Sequence, residues 1–426
     1  MRTFAQSALT VSLAAGLLGG CGGSQPLISA PSAVPQSREI APTRILAHHS
    51  APGSSYQVLY SFAGSPDGAF SVAGLIYLDG TLYGTTSEGG TAGLGTIFSL
   101  GTSGKEQVLH SFQGTGAGDG ARPEANLIDV NGVLYGTSAK GGASDHGTVF
   151  SISTTGAERV LYKFRDRSDG YRPVGGLIDV NGTLYGTTRD GGDGSACKGG
   201  CGTAFSISTS GDEHVLHSFG SGSDGKNPGA GLIEVGRRLY GVTSVGGSHG
   251  YGTVFSISTT GKEKVLYSFG PLPDGRLPEA GLIDVDGTLY GTTYAGGTYD
   301  SCGSCNSGGT VFSISKSGRE HVLHSFGGSD GYWPLASLID VNGTLYGTTS
   351  GSIASGCGRS CGTVFSITPG GTETVLHNFT GSPDGRWPAA NLTNVNGTLY
   401  GTTQLGGDSN SYRCPAGCGT VFSLTP

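Results

Sequence analysis

Seven copies of one set of strand-forming phrases govern what this chain can become. Leu-Tyr-Gly-Thr-like runs hold Tyr83, Tyr135, Tyr185, Tyr240, Tyr290, Tyr346 and Tyr400, a period of 50 to 56 residues. A Gly-Thr-x-Phe run recurs at Phe98, Phe150, Phe205, Phe255, Phe312, Phe365 and Phe422. A Val-Leu-x-x-Phe run ends at Phe62, Phe112, Phe164, Phe219, Phe269, Phe326 and Phe379. Periods of this length, built from several short strands each, mean a propeller or a solenoid.

One copy reads as four strands. In the fifth, Gly281 to Val285 runs into the Asp286-Gly287 turn and returns through Thr288 to Thr292. Asp-Gly or Asn-Gly between apolar runs is the strongest short hairpin signal. A variable glycine-rich loop follows, then Thr310 to Ser315, a tight turn, and Glu320 to Phe326. The chain ends decide the closure. The first repeated element is a lone fourth strand, Gln57 to Phe62, and the last is a lone third strand, Gly419 to Leu424. Nothing is left over if the N-terminal strand completes the C-terminal blade. The expected fold is therefore all-β, a seven-bladed β-propeller with four antiparallel strands per blade. A β-solenoid or eight irregular blades are the alternatives. A solenoid needs distinct capping repeats, which are absent, whereas closure leaves no long unpaired edge.

Composition agrees. The 81 glycines follow no three-residue period, and charged residues make up 13%, which suits turns of an all-β protein better than collagen or disorder. A net charge of −7 without a basic stripe excludes nucleic acid as a partner. A monomer is expected.

Residues 1–20 read as a lipoprotein-type signal peptide, with Arg2 before a short apolar core from Ala8 to Leu18. That core falls short of the ~20 apolar residues of a stable span. Leu18-Gly19-Gly20-Cys21 resembles a bacterial lipobox, implying cleavage before Cys21 and its acylation. Ordinary secretion with cleavage nearby is the alternative. Resemblance to Gram-negative lipoproteins, with Gly22 after the cysteine, implies the outer membrane or cell surface. The membrane is then a partner through the lipid anchor. Residues 21–53, rich in Ser, Pro and Ala, read as a flexible tether to a propeller over 54–426.

The repeats resemble the Gloeo/Verruco tandem-repeat family of bacterial exported proteins. Leu289-Tyr-Gly-Thr-Thr293 with Gly296-Gly297, Gly309-Thr-Val-Phe312 and Gly318 carry the likeness, which covers about residues 56–426. It implies repeat architecture and an exported, anchored context, and it brings no activity and no catalytic residues.

In a four-stranded blade, the short turns after strands one and three share one face. The variable loop after strand two and the crossover share the other, where binding residues usually gather. Each crossover carries Asp-Gly, at Asp67, Asp119, Asp169, Asp224, Asp274, Asp330 and Asp384. These read as turn residues in preference to calcium ligands, because one carboxylate per blade falls far short of roughly 6 to 8 oxygens. Local disulfides are expected for Cys197/Cys201, Cys302/Cys305, Cys357/Cys361 and Cys414/Cys418, with zinc ligation across loops as the alternative.

Trp333 and Trp387 share one crossover slot with Phe70, Arg122, Arg172, Asn227 and Leu277. With Tyr332 they form a candidate sugar-stacking platform, packing between blades being the alternative. His110, His217, His324 and His377 share a fourth-strand slot with Tyr60, Tyr162 and Tyr267 and cannot meet at one metal ion. Glu106, Glu158, Glu213, Glu263, Glu320 and Glu373 recur in register, which signals a structural role. Arg165, Asp166, Arg167, Arg189, Asp190 and Asp193 are unrepeated and read as scattered solvated charges, a polar site on the variable face being the alternative.

The expectation is a lipid-anchored, non-catalytic binding module for carbohydrate or protein, without a cofactor or metal. The first alternative is a propeller hydrolase or lyase acting on polysaccharide, and the second a passive structural array. Unrepeated carboxylates at the channel mouth favour the enzyme. An uncharged mouth with exposed tryptophans favours the binder.

Overall fold

Positive φ at both residues of a two-residue turn matches the right-handed twist of the strands it joins. Asn131-Gly132, Asn181-Gly182, Asp286-Gly287, Asn342-Gly343 and Asn396-Gly397 all adopt it, with φ of 51° to 55° at the first residue. Each joins a three-residue strand to a six-residue one, as in Ile283–Val285 paired with Thr288–Thr293. The six-residue strand then pairs with Thr310–Ser315, and that with Glu320–Ser325. The computed structural model describes residues 54–165, 167–299, 308–353, 361–408 and 414–426.

Seven such four-stranded sheets form the blades, six of them contiguous in sequence. We number them 1 to 7 from residues 76–111 onward; 128–163, 178–218, 233–268, 283–325 and 339–378 follow. The seventh joins Thr393–Val395, Thr398–Thr403 and Thr420–Thr425 to the N-terminal strand Ser55–Ser61. That closing pair runs from Ser55 opposite Thr425 to Ser61 opposite Thr420, so the seven-bladed propeller expected from the chain ends is what forms.

The core lies between blades and repeats with them. A phenylalanine at the end of each fourth strand meets one in the third strand of the next blade, edge to face, at centroid distances of 4.9 to 5.4 Å. Phe379 against Phe422 and Phe62 against Phe98 belong to this series, so the joint through the chain termini packs like the others. The glycine of each Leu-Tyr-Gly-Thr phrase lets the partner ring lie flat on the sheet. A Cβ at Gly291 would sit 2.7 Å from Phe312 Cζ and 2.9 Å from Leu282 Cδ2. Nearer the axis, threonine hydroxyls reach carbonyls of the next blade, among them Thr187 to Ala230 at 2.9 Å and, across the joint, Thr402 to Ala73 at 3.2 Å.

The crossover and the loop after strand two meet on one face, as the strand count requires. In five blades they pair as two-residue ladders, such as Gly275–Arg276 with Ala295–Gly296. In blades 3 and 6 single bridges, Tyr171 to Asp190 and Tyr332 to Gly351, take their place. These ladders are too short to show as a pattern in the sequence, and they build the face that carries the variation.

Candidate functional site at the channel mouth

Two residues before the channel wall, every crossover passes through the left-handed region. Phe70, Arg122, Arg172, Asn227, Leu277, Trp333 and Trp387 have φ between 53° and 60°. Glycine is the default residue there, and any other side chain costs roughly 1 kcal/mol or more. None of the seven copies uses it. The backbone is held from both sides. Each N–H donates to a loop carbonyl of the preceding blade at 2.7 to 3.1 Å, and each C=O accepts from the loop after strand two at 3.0 to 3.2 Å. These bonds do not depend on the side chain. The result is a rim of seven half-buried or exposed side chains of unlike chemistry on identical mounts.

Cysteines supply part of the mount. The Cys201, Cys361 and Cys418 carbonyls accept from Asn227, Trp387 and Phe70. Cys197–Cys201 and Cys414–Cys418 are disulfides with Cα–Cα separations of 5.3 and 5.1 Å. Cys361 is also disulfide-bonded, while Cys357, Cys302, Cys305, Asp166 and Cys21 lie outside the described residues.

Below the rim, a polar cavity of about 160 Å³ opens at the channel. Its wall slot holds Val72, Glu124, Val174, Gly229, Glu279, Leu335 and Ala389, so only blades 2 and 5 place a carboxylate there. Arg122 Nε lies 3.4 Å from Glu124, and Arg189 reaches from blade 3 to Glu279 at 3.7 Å. Arg172 contacts Asp190 at 3.1 Å. Tyr294 stacks on Trp333 at 6.0 Å, and burial together with the Glu279 charge raises its pKa. Asn126 and Asn391 face the same cavity, but their Oδ1 atoms accept from Gly74 and Ser337 N–H groups.

Arg189 and Asp190 of the candidate polar site thus belong to this mouth, whereas Arg167 and Asp193 line a separate surface groove. Tyr332 sits beside Trp333, centroids 6.2 Å apart, with its backbone paired to Gly351. Glu124 and Glu279 were not singled out from the sequence. Aligning the slot two residues beyond the rim across copies exposes them as the only charged occupants.

The repeated charges make a second, structural constellation on the outer strands. Each crossover aspartate caps its own turn, as Asp274 Oδ1 does by accepting from Gly275 N at 2.7 Å. Its Oδ2 accepts from the tyrosine or histidine of the preceding strand, 2.8 Å for Tyr267 and 2.9 Å for His217. A glutamate of the next blade completes six of the seven sets. Burial, before any nearby charge, raises Glu106, Glu158, Glu213, Glu263, Glu320 and Glu373 from 4.5 to about 7. The Oε1 atom of each is buried without a hydrogen-bond partner among the described residues.

In two sets, His110–Asp119–Glu158 and His217–Asp224–Glu263, the donor atoms lie within 4.8 Å of one another, spacing that a divalent ion could bridge. Tyrosine replaces histidine in the sets containing Tyr60, Tyr162 and Tyr267, which assigns the constellation to blade-to-blade packing. At the closing joint Tyr56 takes the glutamate slot and stacks on His377 at 3.8 Å, beside a groove of about 790 Å³.

The sequence profile described as the Gloeobacter/Verrucomicrobia repeat matches residues 46–198 and 194–361. No curated protein matches the chain. Among solved structures, a gluconolactonase from Xanthomonas campestris is similar at 12% identity and a TM-score of 0.43, covering 88% of this chain and 91% of that one. A PQQ-bound aldose sugar dehydrogenase from Streptomyces coelicolor is similar at 11% and 0.42, covering 88% and 99%. A puromycin-hydrolyzing peptidase from Mycobacterium tuberculosis is similar at 11% and 0.48, covering 80% and 52%.

The expectation of a non-catalytic binding module is corrected by the charge at the channel mouth. The mouth is not the uncharged rim that a binder predicts, because Glu124 and Glu279 line it. Those two carboxylates carry the correction, and the similar solved structures carry none of it.

Proposed function

We propose, for a chain that belongs to the Gloeobacter/Verrucomicrobia repeat family, that the channel mouth cleaves a polysaccharide by hydrolysis or elimination. One observation carries the reading: in a ring whose crossover aspartates and outer-strand glutamates repeat in register, two carboxylates occur in a wall slot that is uncharged in five copies. Glycoside hydrolysis uses such a pair, one donating a proton to the leaving oxygen and one acting as base or nucleophile. Elimination needs one base and a neutraliser of charge on the sugar, roles open to Glu279 and its neighbour Arg189.

Trp333, Trp387 and Tyr332 supply flat apolar faces on which sugar rings stack, and the rim mounts hold the tryptophans in place. The enzyme works outside the cytoplasm, anchored through Cys21.

The test is reducing-end release from a panel of polysaccharides by the wild type, Glu124→Gln, Glu279→Gln and the double variant. Loss of at least a hundredfold in turnover in either single variant, with unchanged melting, is the expected result. Turnover that survives the double change, or no cleavage of any polymer, overturns the reading.

A further inference from the structure

The rim is divided by chemistry. Blades 2 and 3 present Arg122, Arg172 and Arg189, while blades 5, 6 and 7 present Tyr294, Trp333 and Trp387. We infer that the polymer taken at this mouth is an anionic glycan, whose carboxylate or sulfate groups meet the arginine sector while its sugar rings lie on the aromatic one. This assignment rests on the polysaccharide reading above and narrows it to a substrate class.

Three observations support it. The arginines remain accessible, with side chains 38%, 45% and 33% exposed. Each contacts its own carboxylate through a single nitrogen, at 3.4, 3.1 and 3.7 Å. A guanidinium carries five N–H donors in a planar fork, so that contact leaves bidentate capacity for an incoming anion.

The second observation is the mount itself. Arg122 and Arg172 occupy left-handed backbone at φ of 53° and 58°, where glycine would be favoured. Exposed ion pairs contribute only about 0–1 kcal/mol, too little to account for arginine in a strained slot. A role in recognition does account for it.

The third is electrostatic. The chain carries a net charge of −7, which repels anions at long range. Three arginines on adjacent blades, set against the three carboxylates they contact, bring the mouth close to neutral and so remove that repulsion where the polymer docks. Lysine appears in none of the seven rim positions, consistent with planar recognition of carboxylate or sulfate.

The experiment uses the mature protein and three polymers: polygalacturonate, its fully methyl-esterified form, and a sulfated chondroitin. Binding is measured by calorimetry at 50 and 300 mM salt, and cleavage by reducing ends. The expected result is at least tenfold tighter binding of a charged polymer than of the methyl ester, weakening with salt. Preference between polygalacturonate and chondroitin sulfate identifies which anion the sector reads. Arg172→Gln then weakens charged-polymer binding about tenfold and leaves methyl-ester binding unchanged, and Arg172→Lys recovers part of the loss.

Binding indifferent to esterification, or Arg172→Gln weakening all three polymers alike, overturns the assignment whether or not cleavage occurs. Charge-selective binding with no cleavage keeps the assignment and removes the catalytic reading instead.

Discussion

Glu320→Gln provides a direct test of the inter-blade constellation. Glu320 faces Tyr267 and Asp274, in a set that holds tyrosine where others hold histidine, so no imidazole is a member of the set. Burial, then the Asp274 charge, raises its pKa from 4.5 to about 7. A carboxylic acid with a raised folded pKa holds its proton more tightly in the folded state. Its contribution to stability is therefore complete below about pH 4.5 and is lost as pH rises through about 7. An uncompensated shift of this size corresponds to about 3 kcal/mol. Glu320 is only partly buried, and screening by water roughly halves that, to about 1.5 kcal/mol.

Glutamine copies the protonated acid and cannot ionise. Glu320→Gln should match the wild type at pH 4.5 and exceed it by about 1.5 kcal/mol at pH 8.5, read from urea midpoints. The same offset at both pH values would refute the reasoning, because it would mean that the carboxyl titrates alike in the folded and unfolded chains.

Other outcomes follow from the same geometry. Gly291→Ala should destabilise by about 2 kcal/mol in denaturant melts, since its Cβ would overlap Phe312 and Leu282 and both are fixed by neighbouring blades. Deleting residues 54–62 removes the strand paired with Thr420–Thr425 and the Phe62 ring that packs on Phe98, so the truncated chain should show non-native near-ultraviolet circular dichroism at 25 °C. Arg172→Gly should raise stability by about 0.5 kcal/mol, left-handed strain relieved at roughly 1 kcal/mol against a weak exposed ion pair. A Cys414→Ser, Cys418→Ser variant should lose about 2 kcal/mol, by melting under oxidising conditions.

Ring closure was legible because the phrases repeat and the chain ends fall at different points of one repeat. Tyr83 and Tyr400 announce equivalent strands, and the lone segments around Leu59 and Phe422 have no other partner in register. The roles of the crossover aspartates were also legible, since turn chemistry is local. What crosses between copies was hidden. Glu158 completes a set whose other members, His110 and Asp119, lie one copy earlier, and recurrence in register marks Glu158 as structural without naming its partners. The strained rim was hidden for a different reason. Sequence signals for positive φ are Gly and Asn, and a slot filled by Phe, Arg, Leu and Trp in six copies carries that mark only at Asn227. Glu124 and Glu279 are each unremarkable in sequence and become informative only when the mounts align their slot around one cavity.

The rim also links strain to function. A repeat that needs left-handed backbone for closure alone would use glycine at that position, as it does at Gly287 and Gly296. At Phe70, Arg122, Arg172, Asn227, Leu277, Trp333 and Trp387 the backbone hydrogen bonds are the same in all seven copies, so the closing geometry is independent of the side chain. The side chains therefore add cost without adding closure, roughly 1 kcal/mol at each of the seven sites. Strain of this kind concentrates where a surface must present specific groups in fixed positions. The inter-blade phenylalanine series supplies the stability against which that cost is set, and the channel mouth is where it is spent.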